Sequence, residues 1–118
     1  MTVLLLAGAP GSGKSTIGAR VCAMRPRAAC VDVDDIRGLI REPRVAPWEG
    51  AEGARQYRLG IANSCLLARS LDEDGCDVVV VDVAPPEVLG NYRKGLDGIA
   101  YRTVLCCSTA RRPRRRRR

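Results

Sequence analysis

Apolar positions in this chain come in blocks, and the blocks alternate between two spacings. Val3-Leu4-Leu5-Leu6-Ala7 is a continuous apolar run that stops at Gly8. A short run with no polar member predicts a strand covered on both faces, as in a parallel sheet. From Lys14 to about Met24, Ile17, Val21 and Met24 fall at helical spacing, and Pro26 closes the helix. Ala29 to Val33 predicts a second strand. Asp34 and Asp35 stand where they would cap a short helix reaching Ile40, acid at the positive end of its dipole. Residues 42–50 carry Pro43, Pro47 and Gly50 and read as an exposed connection. From about Glu52 to Asp74 one stripe is marked by Tyr57, Ile61, Cys65, Ala68 and Leu71, and Gly75 stops the helix. Val78 to Val83 is the clearest strand, its run of valines leaving no polar face. Pro85-Pro86 opens a helix to about Lys94, and Tyr101 to Cys106 predicts a fourth strand.

Strand followed by helix throughout is the pattern of an α/β fold with a doubly wound parallel sheet and right-handed crossovers. The length, 118 residues, suits one domain. Phe is absent and the aromatics are Trp48, Tyr57, Tyr92 and Tyr101, so the core must be aliphatic. There is no His, which excludes His catalysis and zinc sites of the Cys2His2 type. No apolar run approaches the ~20 residues of a membrane span. The six cysteines form no Cys-x-x-Cys pair; Cys22, Cys30, Cys65 and Cys106 sit among apolar residues and read as small hydrophobes, and the reducing cytoplasm is the expected setting. The N-terminal apolar run has no basic segment before it and is too short for a secretory signal.

The net charge of +7 belongs to one end. Arg111, Arg112 and Arg114 to Arg118 carry seven positive charges, and residues 1–110 balance 13 basic groups against 13 acidic. Residues 111–118 are expected to form a disordered, arginine-rich tail. Only through that tail would nucleic acid be bound, without sequence preference and with strong salt dependence.

Gly8-Ala9-Pro10-Gly11-Ser12-Gly13-Lys14-Ser15 matches G-x-x-x-x-G-K-[ST] at every fixed position, between a buried strand and a helix. Glycines let successive backbone N–H groups converge on one phosphate, and the helix dipole points at the same spot. Lys14 suits the terminal phosphates, Ser15 a Mg²⁺ ion, and Thr16 extends the polar surface. The chain uses Arg 18 times and Lys twice, yet position 14 is Lys, where a slim point charge fits and a planar guanidinium would crowd the nest. Asp82 ends the valine strand, as in a Walker B segment, where an acid reaches the metal. Asp32, Asp34 and Asp35 cluster at the end of the second strand. Ligands of open α/β sheets bind beyond the carboxyl ends of the strands, which puts this cluster beside the loop. Asp32 is a further metal candidate, and Asp34, then Asp35, are candidates to accept the proton of an attacking hydroxyl. Arg37 suits either an anionic substrate or a salt bridge. Trp48 reads as a packed or partly exposed residue of the connection, and Gln56, Tyr57 and Asn63 as candidates to line an acceptor pocket.

The Gly8 to Thr16 loop, the Asp32-Val33-Asp34-Asp35-Ile36-Arg37 segment and the Val78 to Asp82 strand together resemble the small P-loop kinases. Shikimate kinase, gluconate kinase, chloramphenicol phosphotransferase and the zeta-toxin kinases belong to that group, which is often labelled ATP-binding or AAA-type ATPase. The resemblance covers residues 1 to about 105. It implies a P-loop NTPase fold with strand order 2-3-1-4-5, ATP and Mg²⁺ as cofactors, and transfer of the γ-phosphoryl to a small hydroxyl-bearing acceptor. In it Asp34 aligns with the carboxylate that such kinases use to bind or activate the acceptor, so the expected catalytic groups are Lys14 from the loop, Asp34 and, next to it, Asp35. Such kinases continue with a helix, an arginine-bearing lid and a fifth strand. Residues 1–110 are therefore expected to form a nucleotide-binding domain incomplete at its C-terminus. The abrupt change of composition after Leu105 is what a shifted reading frame would produce. The alternative to a kinase is a nucleotide-binding module or ATP hydrolase that needs no acceptor.

Overall fold

The computed structural model describes residues 3–107. The arginine-rich segment 111–118 lies outside the described residues. The elements follow in the order β1 (Val3–Ala7), α1 (Lys14–Ala23), β2 (Ala28–Asp32), α2 (Val33–Arg37), α3 (Gly50–Glu73), β3 (Asp77–Asp82), a 3-10 turn (Pro86–Val88), α4 (Leu89–Gly95) and β4 (Tyr101–Leu105). The four strands form one parallel sheet in the order β2-β3-β1-β4. Leu5 pairs with Val80 on one side and Thr103 on the other, so β1 is central.

Parallel pairing explains the unbroken apolar runs, because both faces of β1 and β3 are covered. Val3, Leu5, Val78 and Val80 face α3 and α4, where they meet Ile61, Cys65, Ala68, Tyr92 and Leu96. Leu6, Val79 and Val81 face the other way, against Val21 and Cys22 of α1. Burial pushes the Cys65 thiol up to about 11, as expected of a cysteine acting as core filling.

Two expectations shift. Val33 leaves the second strand and begins α2, fully buried. The cap moves with it: the Asp32 carboxylate, and neither Asp34 nor Asp35, accepts the Asp34 N–H at 3.0 Å. Cys30 is exposed rather than packed, because β2 is an edge strand and only Val31 of its last three residues turns into the core. No helix among the described residues is long and apolar enough to cross a membrane.

Candidate active site

β1 delivers the chain at its carboxyl end into the loop of residues 8–13, and α1 begins at once with Lys14. Gly11 and Gly13 take φ of 81° and 88°, a region closed to most side chains. Gly8 is needed for a different reason: a Cβ there would lie 2.6 Å from Ser12 Oγ and 2.7 Å from the Cys106 carbonyl oxygen. Among the described residues no side chain caps α1, and no acid stands in its first turn, so its N-terminal N–H groups are left without a side-chain acceptor there. The Ser12 hydroxyl is buried without a partner among the described residues. Lys14 folds back over the loop, its Nζ 3.4 Å from the Ala9 carbonyl oxygen. Unused donors, a cation and a buried orphan hydroxyl in one small cradle fit a phosphate group.

The acidic cluster lies at the carboxyl end of β2. Asp32 is half-buried and its carboxyl is pushed up, first by burial and then by Asp35 and Asp34, against the pull of the Asp34 N–H and of Lys14. Asp34 is exposed and its Oδ1 accepts from the Arg37 guanidinium at 3.2 Å. Asp35 is exposed on the next position of α2. Ser15 and Thr16 are exposed in the first turn of α1. Among the described residues no group of three or more ligating side chains stands ready for a metal. Mg²⁺ needs no such cage, because phosphate oxygens and water complete its shell. The Ser15 hydroxyl, exposed in the first turn of α1, and the Asp32 carboxylate, pushed up by burial and its acidic neighbours, are groups of the kind that manner of binding uses.

Asp82 is turned inward. It is 5% exposed. Its Oδ1 accepts the Val83 N–H at 2.8 Å, and its Oδ2 accepts the hydroxyls of Tyr57, at 2.9 Å, and of Tyr92. Burial pushes its carboxyl up while the three donors pull it down. Both phenols are pushed upward, by burial first and then by the carboxylate they face. Three of its roughly four lone-pair positions are thus taken by the protein. Ala84, just beyond, has φ of 46° and turns the chain toward Pro85-Pro86.

A cleft of about 470 Å³ connects these parts. Pro10 of the glycine-rich loop forms one end, Asp34 and Arg37 one side, Pro47 and Trp48 another, and Tyr57, Asp82, Val83 and Pro85 the rest. A second hollow of about 450 Å³ shares Pro47, Trp48, Tyr57 and Pro85. Trp48 does not pack: it is 83% exposed. Gln56 is buried and braces the connection, donating to the Pro43 carbonyl oxygen at 2.7 Å and accepting the Val45 N–H at 3.3 Å. Asn63 lines neither hollow. The structure therefore brings the loop, Asp34, Arg37, Trp48 and Tyr57 to one place, while Asp35 stands outside the cleft lining. Tyr92 carried no signal in the sequence, since nothing in its neighbourhood marks a tyrosine that reaches a carboxylate ten residues earlier.

No protein-family model matches the chain, and no curated protein matches it. Solved structures do. The chain is similar to the APS kinase CysC of Mycobacterium tuberculosis, with a TM-score of 0.71 and 22% identity over 97% of this chain and 80% of that one. It is also similar to a chain of the Pnkp1/Rnl/Hen1 complex, with a TM-score of 0.63 and 20% identity over 89% of this chain. It spans only 35% of that larger protein. A second structure of that assembly, an RNA repair complex, gives a TM-score of 0.65 at 19% identity. Such identities establish architecture: the chain has the fold of the P-loop kinases, a parallel α/β sheet with its glycine-rich loop directly after β1.

Proposed function

We propose that this chain binds Mg-ATP on the Gly8–Thr16 loop and transfers the γ-phosphoryl to a hydroxyl of a small acceptor seated in the adjoining cleft. The observation that carries this reading is continuity. Pro10 belongs to the phosphate loop and also walls the cleft that holds Asp34. An acceptor there would lie within reach of a phosphate on the loop.

Each residue then has a task. The Gly8, Ala9, Pro10, Gly11, Ser12 and Gly13 backbone would cradle the phosphates with the first turn of α1. Lys14 would hold the terminal phosphates, and Thr16 would border them. Ser15 and Asp32 would hold Mg²⁺, which supplies neutralisation of the charge that develops on the phosphoryl oxygens. Asp34 would take the proton from the acceptor hydroxyl. Its Oδ1 is engaged by Arg37, and its Oδ2 has no protein partner among the described residues. Asp35 would add negative charge beside the metal. The domain would span residues 1–110. The six free cysteines suit work in the reducing cytoplasm.

The test is calorimetric titration of Mg-ATP into the full chain and into Lys14→Ala. Saturable binding that weakens at least about tenfold in the variant, a loss of ~1.4 kcal/mol, is the expected result. Equal binding by both, or none by a folded chain, would refute the reading. ADP release is then followed with and without hydroxyl compounds. Release that no acceptor accelerates would assign the chain to the ATP hydrolases.

A further inference from the structure

We infer that the acceptor carries a flat ring and an anionic group, the ring held between Trp48 and Tyr57 and the anion by Arg37. The inference rests on the kinase reading above and names its second substrate by chemistry. It begins with one side chain the fold leaves in solvent and one whose charge it leaves only partly paired. Trp48 is the chain's single tryptophan and leaves 83% of its surface in water. Burying such a ring returns more free energy than burying any other side chain in the cleft. Isolated exposed hydrophobics are common, but this one stands over a hollow whose other walls include Tyr57, Pro47 and Pro85. Tyr57 is held in place from below, because its hydroxyl donates to Asp82, which Tyr92 also grips. One wall of the slot is thus rigid before any ligand arrives, which lowers the entropy lost on binding.

Arg37 is the converse case, a charge put away without full compensation. Its side chain is 13% exposed, and its Nε is buried with no partner among the described residues. Of its five N–H donors, one meets an acceptor among the described residues, the Asp34 carboxylate. Its stem lies against Gly60 of α3, where a Cβ would come within 3.2 Å of the Arg37 Cβ. The packing therefore holds the guanidinium toward the cleft, which it lines. A half-buried guanidinium with spare coplanar donors is matched by a phosphate, sulfate or carboxylate. Asp34, which Arg37 contacts and which lines the same cleft as Pro10 of the loop, would then lie beside the bound acceptor.

The single exposed tryptophan also supplies the readout. The full chain is saturated with Mg-ADP, so that the phosphate loop is filled, and titrated with four probes while Trp48 emission is followed. AMP and UMP carry ring and anion, adenosine carries the ring alone, and ribose 5-phosphate the anion alone. Saturable quenching by AMP or UMP, with the other two at least about tenfold weaker, is expected; tenfold is the size of one contact worth ~1.4 kcal/mol. Arg37→Gln should bring AMP down to the level of adenosine. Trp48→Leu, followed by calorimetry, should bring it down to the level of ribose 5-phosphate. Arg37→Lys, which keeps the charge, should retain part of the preference. Thermal unfolding of each variant checks that it folds. Ribose 5-phosphate binding as tightly as AMP would overturn the ring, and adenosine doing so would overturn the anion. Failure of all four probes on a chain that binds Mg-ADP would overturn the inference and leave the nucleotide reading standing. If Mg-ADP itself fails to bind, the nucleotide reading falls, and the same four titrations on the free chain still decide the acceptor.

Discussion

Tyr92→Phe isolates the most consequential polar contact in the core. Tyr92 is fully buried, and its hydroxyl donates to Asp82, itself 5% exposed. Phenylalanine fills the same ring space, so no cavity forms and the loss is confined to one oxygen. Asp82 would keep two donors, Tyr57 and the Val83 N–H. A hydrogen bond to a charged group is worth about 1.5–3 kcal/mol, and with the carboxylate this deeply buried a value near the middle, about 2 kcal/mol, is expected. For a domain of this size that corresponds to a fall in Tm of roughly 10 °C. The assay is urea unfolding followed by far-ultraviolet circular dichroism, at neutral pH and in acid. The Tyr92 bond opposes the upward push of burial on the Asp82 carboxyl, so the variant should raise that carboxyl further. The gap between wild type and variant should therefore be widest where Asp82 is charged and should narrow as acid protonates it. A gap under about 0.5 kcal/mol at neutral pH, or one that does not narrow in acid, would refute the reasoning.

Two other predictions concern pH and the loop. Asp82 and Asp32 both have carboxyls raised in the folded chain, so each favours the folded state most below the ordinary carboxylate value of about 3.9 and loses that contribution as pH rises through its raised value. Asp82→Asn should flatten this decline in urea midpoints measured between pH 4 and 8, roughly the window above the unfolded value; an unchanged slope would contradict it. Glu52, held down to about 2 by Arg55 and Gln56, acts in the opposite sense: its contribution is complete above the ordinary value and is lost as pH falls from there toward about 2. Gly8→Ala places a methyl 2.6 Å from Ser12 Oγ and should displace the loop, costing about 1–3 kcal/mol of stability and weakening Mg-ATP binding at least as much as Lys14→Ala; wild-type affinity in a calorimeter would count against the cradle.

Much of the fold could be read along the chain because parallel sheets write themselves plainly. Strands buried on both faces must be apolar without interruption, and Val3 to Ala7 and Val78 to Val81 are. The long helix was equally legible, its stripe of Ile61, Cys65 and Ala68 all reaching the core. The edge strand was harder. Ala28 to Asp32 has one fully buried member, so periodicity could not decide where strand gives way to helix, and the boundary moved by one residue. That single residue transferred the cap from Asp34 to Asp32 and left Asp34 open to the cleft.

The candidate site divides along the same line. Local sequence determined the phosphate loop, since its glycine angles, its lysine and its position between strand and helix are all set by neighbours within a few residues. It also placed the acids at the right edge of the sheet, because every strand of a parallel sheet ends on the same side. Tertiary structure alone decided which of those acids is left open to the cleft and which is engaged by other side chains. Asp82 ends its strand as expected, yet α3 and α4 present Tyr57 and Tyr92 to it, and the hydroxyls claim the carboxylate. Trp48, Arg37 and Tyr57 belong to a connection and two different helices, and only packing makes them the walls of one cleft. The physical reason is range: backbone angles and strand ends are fixed by local sterics and hydrogen bonding, whereas the environment of a side chain is set by whatever distant segment packs against it.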